Sequence, residues 1–525
     1  MDYYTLVFGS IFALSFLYTL AKLSSRVTKK LPPGPSPWPI IGNMHLLGAK
    51  PHVSLSNLAK TYGPVMSLKL GQLTTVVISS SPMAEQVLKY QDQAFSVSPE
   101  PSSTASSLVE KSDARWELVR RTSLAEPILM ELTSFHGFEA LVGVSDVFPA
   151  ILAEETERGS EEEKKARWSI ARGPCCVESV RTMARLDANQ HLRSQKVKEL
   201  IAYCAKCSQE GRVVDIGQAA FKISLNLMSN TLFSKDLADP FSDSKVELKE
   251  IICSIMVEVG KPNLVDFFPI LVKIDPQGVK RRATIYFGKL FKLFDGLINE
   301  RLEERRRGFS EKCDVLETLL NITEKDREEM NHNHIKSMFT DLIMGPTDTT
   351  TSTLQWAMTE ILKQPETMKK AQAELAEIIS KGKSIEETGV SRLPYLQCII
   401  KETLRMHPPL PLLIPCRVEQ DVELCDYIIP KDSQDPLVFK PERFWSSDKD
   451  VWGQDFDLIP FSVGRRICPG LPLALKTVPV ILGSLLNSFN WKLEADIEPK
   501  DLDMEETFGI TLAKAHPLLI IPSPL

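Results

Sequence analysis

The sequence lacks three features that would each point to a particular class of protein. It has no basic excess, because 62 lysines and arginines stand against 68 aspartates and glutamates, a net charge of −6. Proteins that bind DNA or RNA usually carry surplus positive charge. Its ten cysteines have no regular spacing, unlike those of disulfide-rich secreted proteins, and the chain has no internal repeat. We therefore expect reduced thiols and no nucleic acid partner.

The N-terminus carries a long uncharged apolar run from Tyr3 to Ala21. As a helix, a run of this length would cross a hydrocarbon core of roughly 30 Å. Basic residues follow it, which favours a cytosolic location for the rest of the chain. A cleaved signal peptide is the alternative, but such peptides ordinarily begin with basic residues rather than Met1-Asp2. Residues 1–23 are therefore predicted to be an uncleaved, single-pass membrane anchor.

A proline-rich stretch from Leu31 to Pro39 comes next. Proline fixes φ and lacks a backbone donor, so this stretch favours a stiff extended conformation over a helix. Residues 24–42 are predicted to form a basic and proline-rich hinge. No second linker of this kind follows, and residues 43–525 are predicted to form one domain.

Hydrophobic periodicity predicts a mainly α fold with a small β-sheet. The alternation from Val65 to Ser81, with Gly71 at its middle, indicates a β-hairpin. Apolar residues at three- and four-residue steps predict helices at Val197–Ser208, Val246–Val259, Val279–Arg307, Ile335–Lys363 and Pro365–Ser380. The fourth of these helices is long and strongly apolar, which is typical of a helix that passes through the centre of a protein.

The segment Phe461–Gly470 combines a cysteine with glycines and a basic pair. A thiolate that binds iron needs a tight loop with backbone N–H groups directed at sulfur, and a cation for an anionic cofactor group. Gly464 and Gly470 would permit the loop and Arg466 would supply the charge. The alternative for a lone cysteine is a buried, inert thiol.

The pattern Phe-x-x-Gly-x-Arg-x-Cys-x-Gly resembles the haem-binding loop of cytochromes P450. Two other blocks of that family precede it, Glu402–Arg405 and Phe439–Phe444. The resemblance implies haem b with Cys468 as the axial ligand to iron, supported by Phe461, Gly464, Arg466 and Gly470. It also implies a structural charge network of Glu402, Arg405 and Arg443, in which loss of one partner would cost about 3 to 5 kcal/mol.

The block Gly345–Thr350, in the long central helix, resembles the oxygen-activation block of the same family. Activated dioxygen must receive protons, and the resemblance implies that Thr349 binds the oxygen while Asp348 relays protons from solvent. The alternative is a threonine- and aspartate-rich helix terminus without a catalytic role.

Over most of its length, the chain resembles the plant microsomal monoterpenol hydroxylases of the P450 family. That resemblance implies a cytochrome P450 fold with an N-terminal transmembrane helix in the endoplasmic reticulum membrane and a cytosolic catalytic domain. It further implies electrons from NADPH through NADPH–cytochrome P450 reductase, and a small lipophilic substrate, with terpenoid alcohols leading. The implied substrate pocket contains Leu342, Gly345, Leu412, Leu413, Phe508 and Ile510.

Several departures from the family leave a second hypothesis open. Residues 97–184 do not align with it, and a strand and a short helix expected after Gln434 are absent. Pro346 and Cys416 replace a glycine and an arginine of the family pattern. The second hypothesis is a non-catalytic, mis-spliced or mispredicted member that does not retain haem. The loop Lys261–Leu271 has two readings as well, a membrane-dipping loop or part of the core.

Overall fold

The computed structural model describes residues 31–90, 189–242, 247–260, 262–271, 273–308, 312, 314–325, 331–379, 383, 385–413, 438–464, 467–494 and 497–525. Four sequence predictions fall outside these residues: the membrane anchor at 1–23, the unaligned interval 97–184, the deletion after Gln434, and the roles of Cys416 and Arg466. They stay predictions.

Helices make up most of the described structure. In chain order they are α1 (Pro51–Tyr62), α2 (Ser81–Glu85), α3 (Gln190–Gln209), α4 (Ile216–Phe233), α5 (Glu247–Gly260), α6 (Leu264–Phe267), α7 (Val279–Arg306), α8 (Val315–Lys325), α9 (His332–Lys363), α10 (Pro365–Ile378), α11 (Pro394–Met406) and α12 (Leu471–Ser488). The five helices predicted from periodicity are confirmed as α3, α5, α7, α9 and α10. Helix α3 begins seven residues before the predicted Val197, and the ends of the other four differ from the predicted ends by at most three residues.

The β-structure of the described residues is small, as predicted, but it is divided into three antiparallel sheets. Strands β1 (Val65–Leu70) and β2 (Leu73–Ile78) form the predicted hairpin, and Gly71 makes its turn with a φ of +54°. Strands β3 (Val214–Asp215), β4 (Phe489–Leu493) and β7 (Leu519–Pro524) form a second sheet with β7 in the middle. Strands β5 (Glu506–Thr507) and β6 (Ala513–Lys514) form a third.

Helix α9 runs through the centre of the structure, as its apolar sequence predicted. Its N-terminal half supplies Phe339, Leu342 and Ile343 to one buried cluster, which it shares with α4, α5, α7 and α8. Its C-terminal half supplies Leu354 and Met358 to a second cluster, with α3, α11 and α12. Burial of apolar area on both halves therefore stabilises the helix that carries the block Gly345–Thr350.

Proline inside α9 leaves the helix continuous. Pro346 has no N–H, so the carbonyl of Leu342 lacks its usual helical donor. Threonine hydroxyls bond to two carbonyls between Leu342 and Pro346: Thr347 Oγ1 donates to Ile343 O at 2.5 Å, and Thr349 Oγ1 donates to Gly345 O at 2.8 Å. The missing N–H of Pro346 itself removes the helical donor of one carbonyl only.

Helix α12 is long and apolar enough to cross a membrane, but 72% of it is buried inside the protein. Its residues Ile481, Leu482, Leu485 and Leu486 belong to the core. This helix is therefore part of the core among the described residues.

Helix α5 ends in close contact with the C-terminal segment. Ile510 N donates to Met256 O at 3.3 Å, and a Cβ added to Gly260 would lie less than 3.0 Å from Ile510 N and from Gly509. These neighbours are backbone atoms, which cannot turn aside as the end of a side chain can. Only glycine at 260 allows this approach.

We predict that Gly260→Ala lowers the free energy of unfolding by about 1 to 3 kcal/mol, because the backbone at 509–510 must move. Gly288→Ala in α7 is the matched control, since an added Cβ there meets no atom within 4 Å. It should raise stability by up to about 1 kcal/mol, because alanine is the better helix former. Denaturant titration of both variants is the measurement, and equal effects would refute the close approach.

Candidate active site

Cys468 lies in a tight loop directly before α12. Its N–H donates to Phe461 O at 2.8 Å, and Ile467 N donates to Gly464 O at 3.3 Å. Ser462 and Gly464 have φ of +60° and +67°, so the chain turns back on itself twice within three residues. Of the two glycines predicted to permit the loop, Gly464 is used in a left-handed conformation that other residues rarely adopt, whereas Gly470 has a φ of −77°, which any residue can adopt.

The sulfur of Cys468 faces the start of α12. Burial raises the pKa of the thiol to about 11, and the backbone N–H groups of Gly470 and Leu471 act in the opposite direction by hydrogen bonding to sulfur. The N-terminus of a helix also favours negative charge. The site thus offers stabilising donors to a thiolate, while burial keeps the free thiol protonated at neutral pH.

The single sulfur of Cys468 fits a metal whose other ligands come mostly from a cofactor. No group of three or more His, Cys, Asp or Glu side chains that could hold a metal ion occurs in the part of the chain that the structure describes. A lone half-buried sulfur with two N–H donors would suit a haem, whose porphyrin supplies most of the ligands to iron. Arg466, predicted to meet an anionic group of the cofactor, lies outside the described residues.

A buried carboxylate organises the scaffold beside this loop. Glu402 is fully buried, and its two oxygens accept hydrogen bonds from Arg405 Nε at 2.7 Å and Arg405 Nη2 at 2.9 Å. Arg443 Nε and the backbone N–H of Lys440 also donate to Glu402, at 3.4 and 2.8 Å. The structure brings the three network residues together, and α11 is tied to the 438–444 segment through them.

The carboxyl of Asp348 and the hydroxyl of Thr349, both on α9, have different surroundings. Asp348 is buried, and burial raises the pKa of its carboxyl, with Thr511, Lys249 and Cys253 opposing part of the rise. Cys253 Sγ on α5 donates to Asp348 Oδ1 at 3.9 Å. Thr349 is half-buried and donates to Gly345 O within its own helix. Asp348 therefore faces α5 and the C-terminal segment.

The predicted pocket residues come from α9, from the turn after α11 and from the C-terminal segment, and these three parts of the chain touch one another. Leu342 and Gly345 are buried on α9, and Ile510 packs against the same cluster as Leu342. The C-terminal segment is bonded to α9 by Ser352 Oγ, which donates to Leu512 O at 2.7 Å, and Leu512 N donates to Pro409 O at 2.7 Å.

The two pocket candidates in the turn after α11, Leu412 and Leu413, lie nearer the surface. Leu412 is 41% exposed, and Leu413 is half-buried with a φ of +52°. The backbone bond from Leu512 to Pro409 places their turn beside the C-terminal segment.

Sequence reasoning missed two sets of residues. The first set contacts Asp348, and the second lies in or near the β5–β6 hairpin. Cys253 and Lys249 carry no motif, and they reach Asp348 because α5 packs across α9. His407 and Glu506 lie within two residues of a named block or residue, Arg405 and Phe508. That proximity was the one signal in the sequence that could have drawn attention to them.

The fold and the site together define a class: a helical protein with a central helix and a half-buried cysteine in a loop suited to haem. Comparison with known proteins gives the family. The family model for cytochrome P450 matches residues 32–163 and 162–520, so it includes the interval 97–184, which was expected not to align with the family. The chain belongs to the cytochrome P450 family and is a monooxygenase with a haem iron cofactor that receives its electrons from a redox partner.

Relatives of known activity match the chain over nearly its whole length. Geraniol 8-hydroxylase of Catharanthus roseus is 52% identical, with 100% of both chains covered. Geraniol 8-hydroxylase of Swertia mussotii is 51% identical over 100% of this chain and 99% of its own. The 7-ethoxycoumarin O-deethylase of Helianthus tuberosus is 46% identical over 95% of each chain.

Proposed function

We propose that this monooxygenase hydroxylates a small terpenoid alcohol such as a monoterpenol, with electrons that come from NADPH through NADPH–cytochrome P450 reductase. The observation that carries the substrate class is the likeness, at about half of all positions, to two geraniol 8-hydroxylases. The likeness to a 7-ethoxycoumarin O-deethylase supports a small lipophilic substrate more broadly. Pocket changes worth about 1 to 3 kcal/mol redirect selectivity, so related substrates need direct testing.

Cys468 would bind the haem iron through its sulfur, with Phe461, Gly464, Arg466 and Gly470 forming the surrounding loop. When bound, the haem supplies oxygen activation and insertion of one oxygen atom into a C–H bond. The N–H groups of Gly470 and Leu471 would hold the negative charge on sulfur. Glu402, Arg405 and Arg443 would keep the scaffold beside the loop in place.

Asp348 and Thr349 would deliver protons. Because burial raises the pKa of Asp348, its carboxyl holds a proton at a higher pH than an exposed aspartate does. Thr349 Oγ1 now donates to Gly345 O, and rotation about its Cα–Cβ bond would direct the hydroxyl elsewhere. The apolar side chains of Leu342, Leu412, Leu413, Phe508 and Ile510, with Gly345 giving space, would bind the substrate and exclude water.

The decisive test is the carbon monoxide difference spectrum of the reduced protein. We expect the red-shifted Soret band of a thiolate-bound haem, and its loss in Cys468→Ala. Cys398→Ala is the matched control, since this thiol is also buried but belongs to the core and should keep the band. Absence of the band in the unaltered chain would favour the second hypothesis, a family member that does not retain haem.

We predict that Asp348→Asn slows product formation about 100-fold, the range for loss of a proton-transfer group, while the carbon monoxide band is unchanged. NADPH consumption should then release peroxide instead of product. Turnover of geraniol, NADPH oxidation and peroxide are measured together with reductase present. Unchanged turnover would remove Asp348 from the proton path.

Membrane attachment would involve more than the anchor. The end of the hinge, the β1–β2 turn and the segment of α6 touch one another. Gln72 N donates to Phe267 O at 3.1 Å, and Gly71 N donates to Ile41 O at 3.2 Å. They expose large apolar side chains at Trp38, Ile40, Leu73, Ile270 and Ile274. Such a patch marks an interaction surface. It supports an endoplasmic reticulum protein whose cytosolic domain rests on the bilayer.

Quenching by brominated lipids tests this arrangement in the full chain in vesicles. A tryptophan introduced by Ile270→Trp should add fluorescence that brominated lipids quench, because position 270 is 83% exposed in the apolar patch. Lys369→Trp is the control, since Lys369 is exposed and pairs with exposed Glu366. Equal quenching of the two would refute a membrane-facing patch.

A further inference from the structure

One carboxylate joins two histidines that are far apart in the sequence. Glu506 Oε2 lies 3.4 Å from His52 Nε2 on α1, and Glu506 Oε1 lies 3.9 Å from His407 Nδ1, directly after α11. The Glu506 side chain is 20% exposed, and the two histidine side chains are more buried. We call His52, Glu506 and His407 the carboxylate clamp.

His407 has strong partners on its other side. Its Nε2 lies 2.8 Å from Glu360 Oε1 on α9, and its ring stacks on Trp356 with centroids 4.0 Å apart and planes within 2°. Two carboxylates and an indole face all favour a positively charged imidazole. The clamp therefore joins α1, the end of α11 and the third sheet by polar contacts, and His407 extends these contacts to α9.

Glu506 belongs to the hairpin that carries a proposed pocket residue. It pairs with Lys514 across strands β5 and β6, and Phe508 follows two residues later. The Phe508 ring stacks on His52, with centroids 5.4 Å apart and planes within 10°. His52 thus contacts both Glu506 and Phe508. Loss of the clamp would therefore release both ends of the segment 506–508.

We propose that Glu506 is a positioning residue: clamped between His52 and His407, it holds the β5–β6 hairpin so that Phe508 forms one wall of the substrate pocket. The inference rests on the proposed function, which places Phe508 in that pocket. The inference adds a contact that would determine specificity, between His52 on α1 and the pocket wall formed by Phe508.

The clamp should respond to pH in one direction. Burial alone would lower the pKa of His407, but the hydrogen bond to Glu360 and the pairing with Glu506 raise it above its ordinary 6.5. The pKa of Glu506 is lowered, chiefly by His407. A histidine with a raised folded-state pKa contributes fully below its ordinary pKa and loses this contribution as pH rises through the raised value.

Other charges around the clamp do not reverse this direction. Lys50 Nζ lies 4.0 Å from Glu506. Lys514 Nζ lies 5.8 Å from the Trp356 ring and pairs with Asp503 at 3.5 Å. We therefore expect the clamp to hold near pH 6 and to weaken in the alkaline range.

Hydrogen exchange of the full chain tests the clamp without substrate or haem chemistry. At about pH 6, amides of 506–514 should exchange about tenfold faster in Glu506→Gln than in the unaltered chain, because local opening becomes easier. At about pH 9 this difference should shrink. Glu505→Gln is the matched control: Glu505 is the adjacent residue, is 64% exposed and faces exposed His516 at 3.7 Å.

Equal exchange in Glu506→Gln and Glu505→Gln at acid pH would overturn the clamp. His52→Gln removes the other side of the same contact and should give a weaker form of the same pattern. It keeps the inference testable if Glu506→Gln does not fold.

Substrate binding tests the positioning role. The dissociation constant of geraniol, measured by the substrate-induced spectral shift, should rise about tenfold in Glu506→Gln at about pH 6, with the carbon monoxide band unchanged. The same is expected for 7-ethoxycoumarin if that probe binds. Faster exchange without any change in affinity would overturn positioning. If neither probe binds the unaltered chain, the proposed substrate class fails, and the exchange experiment alone decides the clamp.

Discussion

Under the proposed function, the structure depends on one constraint, the need to keep the Cys468 sulfur anionic inside the protein. Burial raises the pKa of Cys468, so a thiolate at this position must be stabilised by hydrogen-bond donors and by the metal that it would bind. The donors are backbone N–H groups at the start of α12, which is a helix of the core. The charge network of Glu402 ties the neighbouring segments down in turn. Much of the packing around the last third of the chain can be understood as support for one loop.

The sequence was informative where a pattern extends over many residues. Five helices and the β1–β2 hairpin could be predicted because their periodicity covers several turns or strand repeats. The second and third sheets could not, because β3, β5 and β6 have two residues each and no period can be read from two residues. The loop of Cys468 was predictable from its glycines and from the chemistry of a thiolate, since all of its parts are consecutive.

The surroundings of Asp348 and Glu506 were not predictable, since they depend on contacts between distant segments. Cys253 meets Asp348 across 95 positions of sequence, and His52 meets Glu506 across a greater separation still. Neither contact leaves a local pattern. The family resemblance predicted which residues of α9 take part in the chemistry, but the tertiary packing decides which groups surround them.

Proline at 346 has a consequence that concerns every state of the enzyme. A hydrogen bond that is broken by motion can re-form, whereas the missing N–H of Pro346 is a matter of covalent structure. The Leu342 carbonyl is therefore without its helical donor when the chain is empty, when it is loaded, and throughout turnover. The irregularity in the central helix is a permanent property of this enzyme, independent of any ligand, and its free energy cost is met at folding and not during catalysis.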